Sequence, residues 1–246
     1  MNQFQIINDS ALQRDLLPPA SIDLIITSPP YNLGINYGTH DDQLPYNDYL
    51  GWCADWLANC LFWLKKDGRM CLNIPLDTHK QGSQSTGADL TELAKQTGFS
   101  FQSSIVWFNG KIFKAKNTEG WLHRADARVY APVELIVVFY KSLKMKESGS
   151  KVSDLTDDEY RSWAHGLWYM EPAQREAGGH PVPFPAELPH RCMKLYSYVE
   201  DTVLDPFMGS GTTLLVAERL NRRSIGIEIN RDYCKLAYQK LRSSER

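Results

Sequence analysis

The sequence predicts a doubly wound α/β protein, a mostly parallel sheet with helices on both faces. Three observations lead there. Apolar, strand-like segments alternate with segments of helical periodicity, as they do when helices cross between parallel strands. Several strand-like segments are continuous apolar runs, as in strands covered on both faces. Near the C-terminus, VLDPFMGSGTTLLVAERL (203–220) followed by SIGIEIN (224–230) reads as strand, Gly-rich turn, helix, strand, the order of a mononucleotide-binding half.

Taken in order, FQIIN from Phe4 is the first strand and IDLII (22–26) the second. Over 46–65, Tyr49, Trp52, Cys53, Trp56, Cys60, Leu61 and Leu64 recur at helical spacing. Lys65 and Lys66 in the last turn and Gly68 beyond predict where that helix stops. RMCLNI (69–74) is the third strand, and 87–97 is a helix closed by Gly98. SFQSSIVWF (100–108) and VELIVVFY (133–140) follow with no clear helix between them, which predicts an antiparallel pair at one edge. The stretch 141–180 is polar, carries Gly149, Gly166, Gly178 and Gly179, and reads as a long loop-rich insertion. TVLDPF (202–207) and SIGIEI (224–229) complete a set of seven strands, with helices over 212–220 and 231–242.

Bulk properties bound the function. A chain of 246 residues with 43% hydrophobic and 23% charged residues suits a single domain over 1–246 with ample core. No apolar run approaches the roughly 18 residues of a membrane span, and the N-terminus lacks a signal pattern. Five cysteines without a C-x-x-C pair read as reduced thiols in a cytosol. A net charge of −2 argues against an indiscriminate nucleic-acid coat protein, yet leaves room for one basic face.

Two stretches carry chemistry. TSPPYN (27–32) ends an apolar strand in two prolines, which can neither continue the strand nor start a helix, so it is a rigid bent loop. In the C-terminal turn, Gly209 and Gly211 remove side chains where backbone approaches a ligand, and the helix from Thr212 points free N–H groups there. Glu228, about twenty residues beyond, can accept hydrogen bonds from ribose hydroxyls. A P-loop needs Gly-Lys-Ser/Thr, but Gly211 is followed by Thr212 and Thr213; a dinucleotide site needs G-x-G-x-x-G, but only G-S-G is present. Asp205 would repel phosphate and suits an amine-bearing or cationic ligand. S-adenosylmethionine has an ammonium, a sulfonium and no phosphate. The plain alternative is a tight packing turn.

Together, Ser28-Pro29-Pro30-Tyr31 and DPFMGSGTT (205–213) make the chain resemble the amino-group DNA methyltransferases, which methylate adenine N6 or cytosine N4. Catalytic motif first and cofactor motif last resembles the permuted order of the β class. HPVPFP (180–185), the helix AELPHRCMKLYS (186–197) and the lead-in IINDSALQRDLLPPASIDLII (6–26) look family-like as well, so the resemblance spans nearly the whole chain except 141–178. It implies a Rossmann-like, seven-stranded sheet with the last strand antiparallel, in keeping with one antiparallel edge pair, and circularly permuted motif order.

The resemblance also implies roles. Ser28, Pro29, Pro30 and Tyr31 would be catalytic: the Ser28 hydroxyl and Pro29 carbonyl accept the amino hydrogens, Tyr31 offers a flat surface to a flipped base, and the prolines hold these groups rigid. S-adenosyl-L-methionine would lie against Asp205, Pro206, Phe207, Gly209, Ser210, Gly211 and Thr212. Glu228 would hold its ribose, Asp9 would lie at its adenine, and Phe184 would close over it. For Asp9 the competing reading is the N-cap of a helix starting at Ala11; His180 caps the pocket or is simply solvated. No metal is implied.

Substrate contacts are expected from Tyr31, Asn32, Lys111, Lys114, Arg124 and Arg128. Basic residues interleave with Phe113, Trp121 and Tyr130 over 111–128, suiting phosphate contact and base stacking, and Lys141, Lys144, Lys146 and Lys151 extend the run. The target-recognition segment is expected at about 109–179, and the polar loop 33–48 is placed to close over the base. Serine at the head of the catalytic motif is commoner in the family's cytosine-N4 enzymes, so cytosine N4 is favoured and adenine N6 is the alternative. RNA or protein-glutamine methylation, and an inactive DNA-binding relative, rank lower. DNA is the expected partner; a cognate restriction endonuclease and a homodimer are compatible, a membrane is not, and a prokaryotic cytosol or nucleoid is the expected location.

Overall fold

Continuous apolar runs become buried strands. The computed structural model describes residues 4–38, 41–78, 84–108, 133–146, 148–173 and 183–244. The strands are β1 (Phe4–Ile7), β2 (Ile22–Thr27), β3 (Leu64–Pro75), β4 (Ser100–Phe108), β5 (Val133–Tyr140), β6 (Leu167–Tyr169), β7 (Thr202–Asp205) and β8 (Arg223–Ile227). They form one sheet in the order β1-β8-β7-β2-β3-β5-β4-β6. All six residues of β2 are buried, which explains why its sequence does not alternate.

Helices cover both faces. On one side α1 (Tyr46–Trp63) and α2 (Thr86–Thr97) press Trp56, Leu57, Trp63, Leu90 and Ala94 onto Ile25, Met70, Leu72, Val137 and Phe139. On the other, α4 (Glu187–Tyr196) and α5 (Thr212–Arg219) bring Leu188, Cys192, Met193, Val216 and Ala217 to Leu24, Ile26, Cys71, Ile136 and Val138. The odd–even alternation of strand partners is the pleat itself. α6 (Arg231–Ser244) packs Ala237 and Leu241 against Phe4 and Leu214. All five cysteines are buried free thiols.

The expected antiparallel pairing of β4 with β5 is present, from Ser100↔Tyr140 to Phe108↔Val133. The reversed strand is β5, which is also antiparallel to β3, and β4 carries a further short parallel strand, β6, on its outer side. Among the described residues the sheet therefore has eight strands where the sequence suggested seven. β6 and a two-turn helix, α3 (Asp157–Trp163), lie inside the stretch read as loop-rich. The helix starts on a capping box: the Glu159 amide donates to Thr156 Oγ1 at 3.2 Å and the Thr156 amide to Glu159 Oε2 at 2.8 Å.

Two other expectations change. α1 ends at Trp63, not beyond Lys65, because Leu64 is already extended (φ −64°, ψ 140°) and pairs with Ile22 as the start of β3. Gly68 serves a bulge in β3 rather than a helix stop; a Cβ there would lie 2.6 Å from Leu64 Cδ2 and 3.0 Å from the Lys65 carbonyl. Gly98, by contrast, closes α2 in the left-handed region (φ 118°) as expected. Lysines 141, 146 and 151 have partners within the fold. Lys141 donates to the Leu64 carbonyl at 2.8 Å, while Lys146 and Lys151 join Lys65 around buried Asp23 and Asp201 at the N-terminal ends of β2 and β7.

Candidate active site

β2 and β7 lie side by side and parallel, with Leu24 opposite Val203 and Ile25 opposite Leu204. Residues nearly 180 positions apart therefore end at the same edge of the sheet: Ser28 follows β2 and Pro206 follows β7. The two ends are stitched by Thr27 Oγ1, which donates to Asp205 Oδ1 at 3.0 Å.

Asp205 organises the Gly-rich turn from within. It accepts from Thr213 Oγ1 at 2.6 Å and from the Phe207 amide at 3.1 Å, and is only 1% exposed. Burial pushes its carboxyl up to about 6, against the pull of these hydrogen bonds. Its charge is spent inside the turn and does not line the cavity, contrary to the expectation that it faces the ligand. Gly211 takes φ 83°, and a Cβ there would lie 2.8 Å from Ala237 Cβ, so this glycine lets the turn sit on α6. Pro206 and Phe207 line the cavity, and Gly209, Ser210, Gly211 and Thr212 do not.

That cavity measures about 210 Å³. Ser28, Pro29, Pro30 and Tyr31 line it together with Pro206, Phe207, Glu228 and Asp9. The two motif loops thus open onto one space. Glu228, at the end of β8, accepts from the Gly209 amide at 3.0 Å and the Asn230 amide at 2.8 Å, one on each oxygen. Each oxygen keeps a lone pair for a hydroxyl donor. Burial holds its carboxyl above the usual range. Asp9 follows β1 and its Oδ1 accepts the Ser10 amide at 2.7 Å. No helix starts at Ala11; a short 3₁₀ turn spans Arg14–Leu16, so the N-cap reading of Asp9 fails.

The lining includes residues that sequence reasoning did not single out for this role: Ser10, Leu12, Tyr37, Trp52, Ile229 and Tyr233. Trp52 packs on Phe207 with ring centroids 5.5 Å apart. Among the described lining residues there are two carboxylates and no lysine or arginine. A phosphate-bearing ligand would find no counter-charge there, whereas the hydroxyls, ammonium and sulfonium of S-adenosylmethionine suit two acids and an aromatic wall.

The catalytic tetrapeptide is held by a polar network. Ser28 Oγ lies 2.5 Å from Tyr31 Oη, which is 3.0 Å from Glu134 Oε2 and 3.1 Å from the Asn73 carbonyl. Asn73 Nδ2 donates to Glu134 Oε2 at 2.6 Å and to Tyr31 Oη at 2.9 Å. Pro30 is fixed by Tyr49, whose hydroxyl donates to its carbonyl at 3.1 Å. Asn73 and Glu134 are functional candidates that the sequence hid, because they meet Tyr31 only through the register of β3 on β5, where Pro75 faces Glu134.

Other expected contacts fall elsewhere. Asn32 is buried in the left-handed region (φ 59°); its side-chain amide donates to the Leu44 carbonyl at 2.8 Å, and its backbone N–H to Asp42 at 2.7 Å. Asp42 also accepts from the amides of Leu33 and Ile35, so Asn32 shapes the loop instead of facing the cavity. Phe184 packs into the α4 side of the core and does not line the cavity. Lys111, Lys114, Arg124 and Arg128, with His180, lie outside the described residues. The flanks of the first group, Phe108 and Val133, pair with each other at the cavity edge of the sheet. A larger cavity of about 530 Å³, between α3, α4 and β4, contains none of the motif residues. Among the described residues no group of three or more His, Cys, Asp or Glu is arranged to hold a metal ion, and no helix is long and apolar enough to cross a membrane.

Comparison with known proteins agrees with this geometry. A family model described as DNA methylase matches residues 22–239. The type II methyltransferase M.MjaVI of Methanocaldococcus jannaschii is 46% identical over 168 residues, covering 68% of this chain and 86% of that protein. The type II methyltransferase M.HpaI of Haemophilus parainfluenzae is 32% identical over 253 residues, covering 99% and 75%. The solved structure of TTHA0409 of Thermus thermophilus with S-adenosyl-L-methionine superimposes with a TM-score of 0.77 at 25% identity, over 98% of this chain and 93% of that one.

Proposed function

This chain belongs to the N6/N4 DNA methylase family, and we propose on that premise that it methylates cytosine N4 in DNA. It is an S-adenosylmethionine-dependent DNA methyltransferase acting on an exocyclic amino group; the choice of cytosine is the finer reading, drawn from Ser28 at the head of the catalytic motif. The observation that carries the site assignment is the single cavity lined by both motif loops.

When bound, S-adenosylmethionine supplies a methyl group made electrophilic by its sulfonium. Glu228 would hold its ribose hydroxyls, Asp9 its adenine end, and Pro206 and Phe207 its apolar flank. The amino nitrogen of a nucleobase is a poor nucleophile because its lone pair is delocalised into the ring. It is also out of reach in a stacked duplex, so the base must be extruded. Ser28 Oγ and the Pro29 carbonyl accept the amino hydrogens and turn the nitrogen lone pair out of the ring plane. The Tyr31 ring gives the base a face to stack on, worth roughly 1–3 kcal/mol. The two prolines and the buried network keep these acceptors in place, so little reorganisation accompanies the reaction.

The reading extends to a single catalytic domain whose target-recognition segment, 109–179, contacts DNA through Lys111, Lys114, Arg124 and Arg128. It places the chain in a prokaryotic modification system, in the cytosol or nucleoid, beside a cognate restriction endonuclease and as a homodimer. The test is methyl transfer from labelled cofactor to DNA, RNA and protein, with N4-methylcytosine and N6-methyladenine scored separately in digested DNA. Label in N4-methylcytosine is expected. Label in N6-methyladenine alone overturns the choice of base, and label confined to RNA or protein overturns DNA as the substrate.

A further inference from the structure

We infer that Glu134 is a positioning residue that, through Tyr31, fixes the direction of the Ser28 hydroxyl so that Ser28 offers lone pairs, not its hydrogen, to the substrate amino group. The inference rests on the amino-methyltransferase reading above. A serine hydroxyl is both donor and acceptor, while the task at an amino group is acceptance alone. Something must therefore use up the Ser28 proton.

The network does so in one direction. An ionised carboxylate only accepts, and it is a stronger acceptor than a carbonyl. Glu134 Oε2 receives Asn73 Nδ2 at 2.6 Å, which sets the amide with its NH₂ toward the carboxylate, and it lies 3.0 Å from Tyr31 Oη. The single phenolic proton therefore goes to Glu134 in preference to the Asn73 carbonyl at 3.1 Å. Tyr31 Oη is then an acceptor toward Ser28, 2.5 Å away, and the Ser28 proton points inward along the chain. Ser28 Oγ then presents lone pairs to the cavity that it lines, with only a long contact of 3.5 Å from Asn73 Nδ2 drawing on them. In effect Glu134 gives a serine the one-sided character of an aspartate.

Protonating Glu134 reverses the chain. Its new O–H donates to Tyr31, Tyr31 donates to Ser28, and the Ser28 hydrogen turns toward the substrate amine. Burial holds the Glu134 carboxyl above its ordinary value, against hydrogen bonds from Asn73 and Tyr31, so this reversal falls at a higher pH than for an exposed glutamate. The groups packed on Glu134 are Tyr31 from the loop after β2, Asn73 and Pro75 of β3, and Trp107 of β4; among the described residues Tyr31 is the titratable group in contact with it.

The experiment is kcat for DNA methylation against pH in wild type, Glu134→Gln and Tyr31→Phe, with melting temperature and cofactor affinity measured alongside. Wild-type kcat should fall about tenfold per pH unit below the Glu134 pKa. Glu134→Gln keeps an acceptor carbonyl but cannot titrate; it should hold kcat within about tenfold of the wild-type plateau and lose the acid limb. Tyr31→Phe keeps the stacking ring but cuts the chain; kcat should drop at least tenfold with cofactor affinity unchanged. An unaltered acid limb in Glu134→Gln overturns the proposal. Should that variant be inactive or unfolded, Tyr31→Phe decides: a loss of kcat supports the proposal and a wild-type rate overturns it. Difference infrared spectra, wild type minus Glu134→Gln, give a readout without turnover: the protonated-carboxyl band should titrate at the pH of the kinetic limb, and titration near the ordinary value of about 4.3 overturns the proposal. A wild-type chain that methylates no DNA removes the functional reading, while the infrared titration still tests the hydrogen-bond chain.

Discussion

The two ends of the sheet treat buried acids in opposite ways. At the N-terminal ends of β2 and β7, Asp23 and Asp201 are surrounded by Lys65, Lys146 and Lys151. Burial works to raise Asp23, but hydrogen bonds from Lys65, the Thr202 amide and Lys151 prevail and bring its carboxyl down to about 2. At the C-terminal ends, buried Asp205 and half-buried Glu228 and Glu134 face hydroxyls, amides and backbone N–H groups, and desolvation prevails in all three. The same residue types on the same sheet are thus shifted in opposite directions, Asp23 downward at one edge and Asp205, Glu228 and Glu134 upward at the other. The first arrangement ties strand ends together; the second keeps acceptors and titratable groups available beside a cavity.

The largest effect expected at the C-terminal edge is on turnover. Ser28→Ala should lower kcat by about 100- to 1,000-fold, the scale for losing one preorganised transition-state contact, with the melting temperature and cofactor affinity unchanged. Steady-state methylation with calorimetric cofactor titration checks this; a wild-type kcat would remove Ser28 from the catalytic group.

At the opposite edge, Asp23→Ala should destabilise the fold by about 3 kcal/mol and leave kcat per folded molecule intact. Because the Asp23 pKa is depressed in the fold, its contribution is present above the unfolded value of about 4 and disappears as pH falls through about 2. Asp205 has the reverse sign: its contribution is present below about 4 and is lost as pH rises through about 6. Urea unfolding should therefore show the Asp23→Ala deficit shrinking toward low pH, and Asp205→Asn gaining on wild type between pH 4 and 6. Parallel pH profiles for both variants would erase the distinction between the edges.

The smallest of these effects is on cofactor binding. Glu228→Ala removes an acceptor for hydroxyls, so affinity should weaken roughly tenfold, about 1.4 kcal/mol, with a smaller change in kcat. An unaltered dissociation constant would show that Glu228 serves only to brace the Gly209 and Asn230 amides.

Local rules made much of this legible. β2 and β5 announced themselves as apolar runs, and Gly98 closed α2 where a left-handed residue was needed. α3 was legible too, since Thr156 and Glu159 spell a capping box, but the polar context concealed it. The end of α1 was misread because Lys65, Lys66 and Gly68 make a good helix stop in isolation; Leu64 prefers the sheet, where its side chain is fully buried. Asp205 shows a similar limit. Its position at a strand end was evident, but that its oxygens turn inward to Thr27 and Thr213 depends on β2 being its neighbour. Glu134 and Asn73 could not be found from spacing at all, because their relation to Tyr31 is set by strand register across three separate segments.

The pairing of Phe108 with Val133 has an evolutionary consequence. A stretch of chain that leaves and re-enters a sheet at facing residues already has its ends together, and each doubling of its length adds only about 0.6 kcal/mol of closure entropy. Sequence there can be exchanged like a cassette without disturbing the strands that carry the chemistry. On the proposal that this segment reads DNA, one scaffold would be retargeted to new words of DNA while its reactive centre stays fixed.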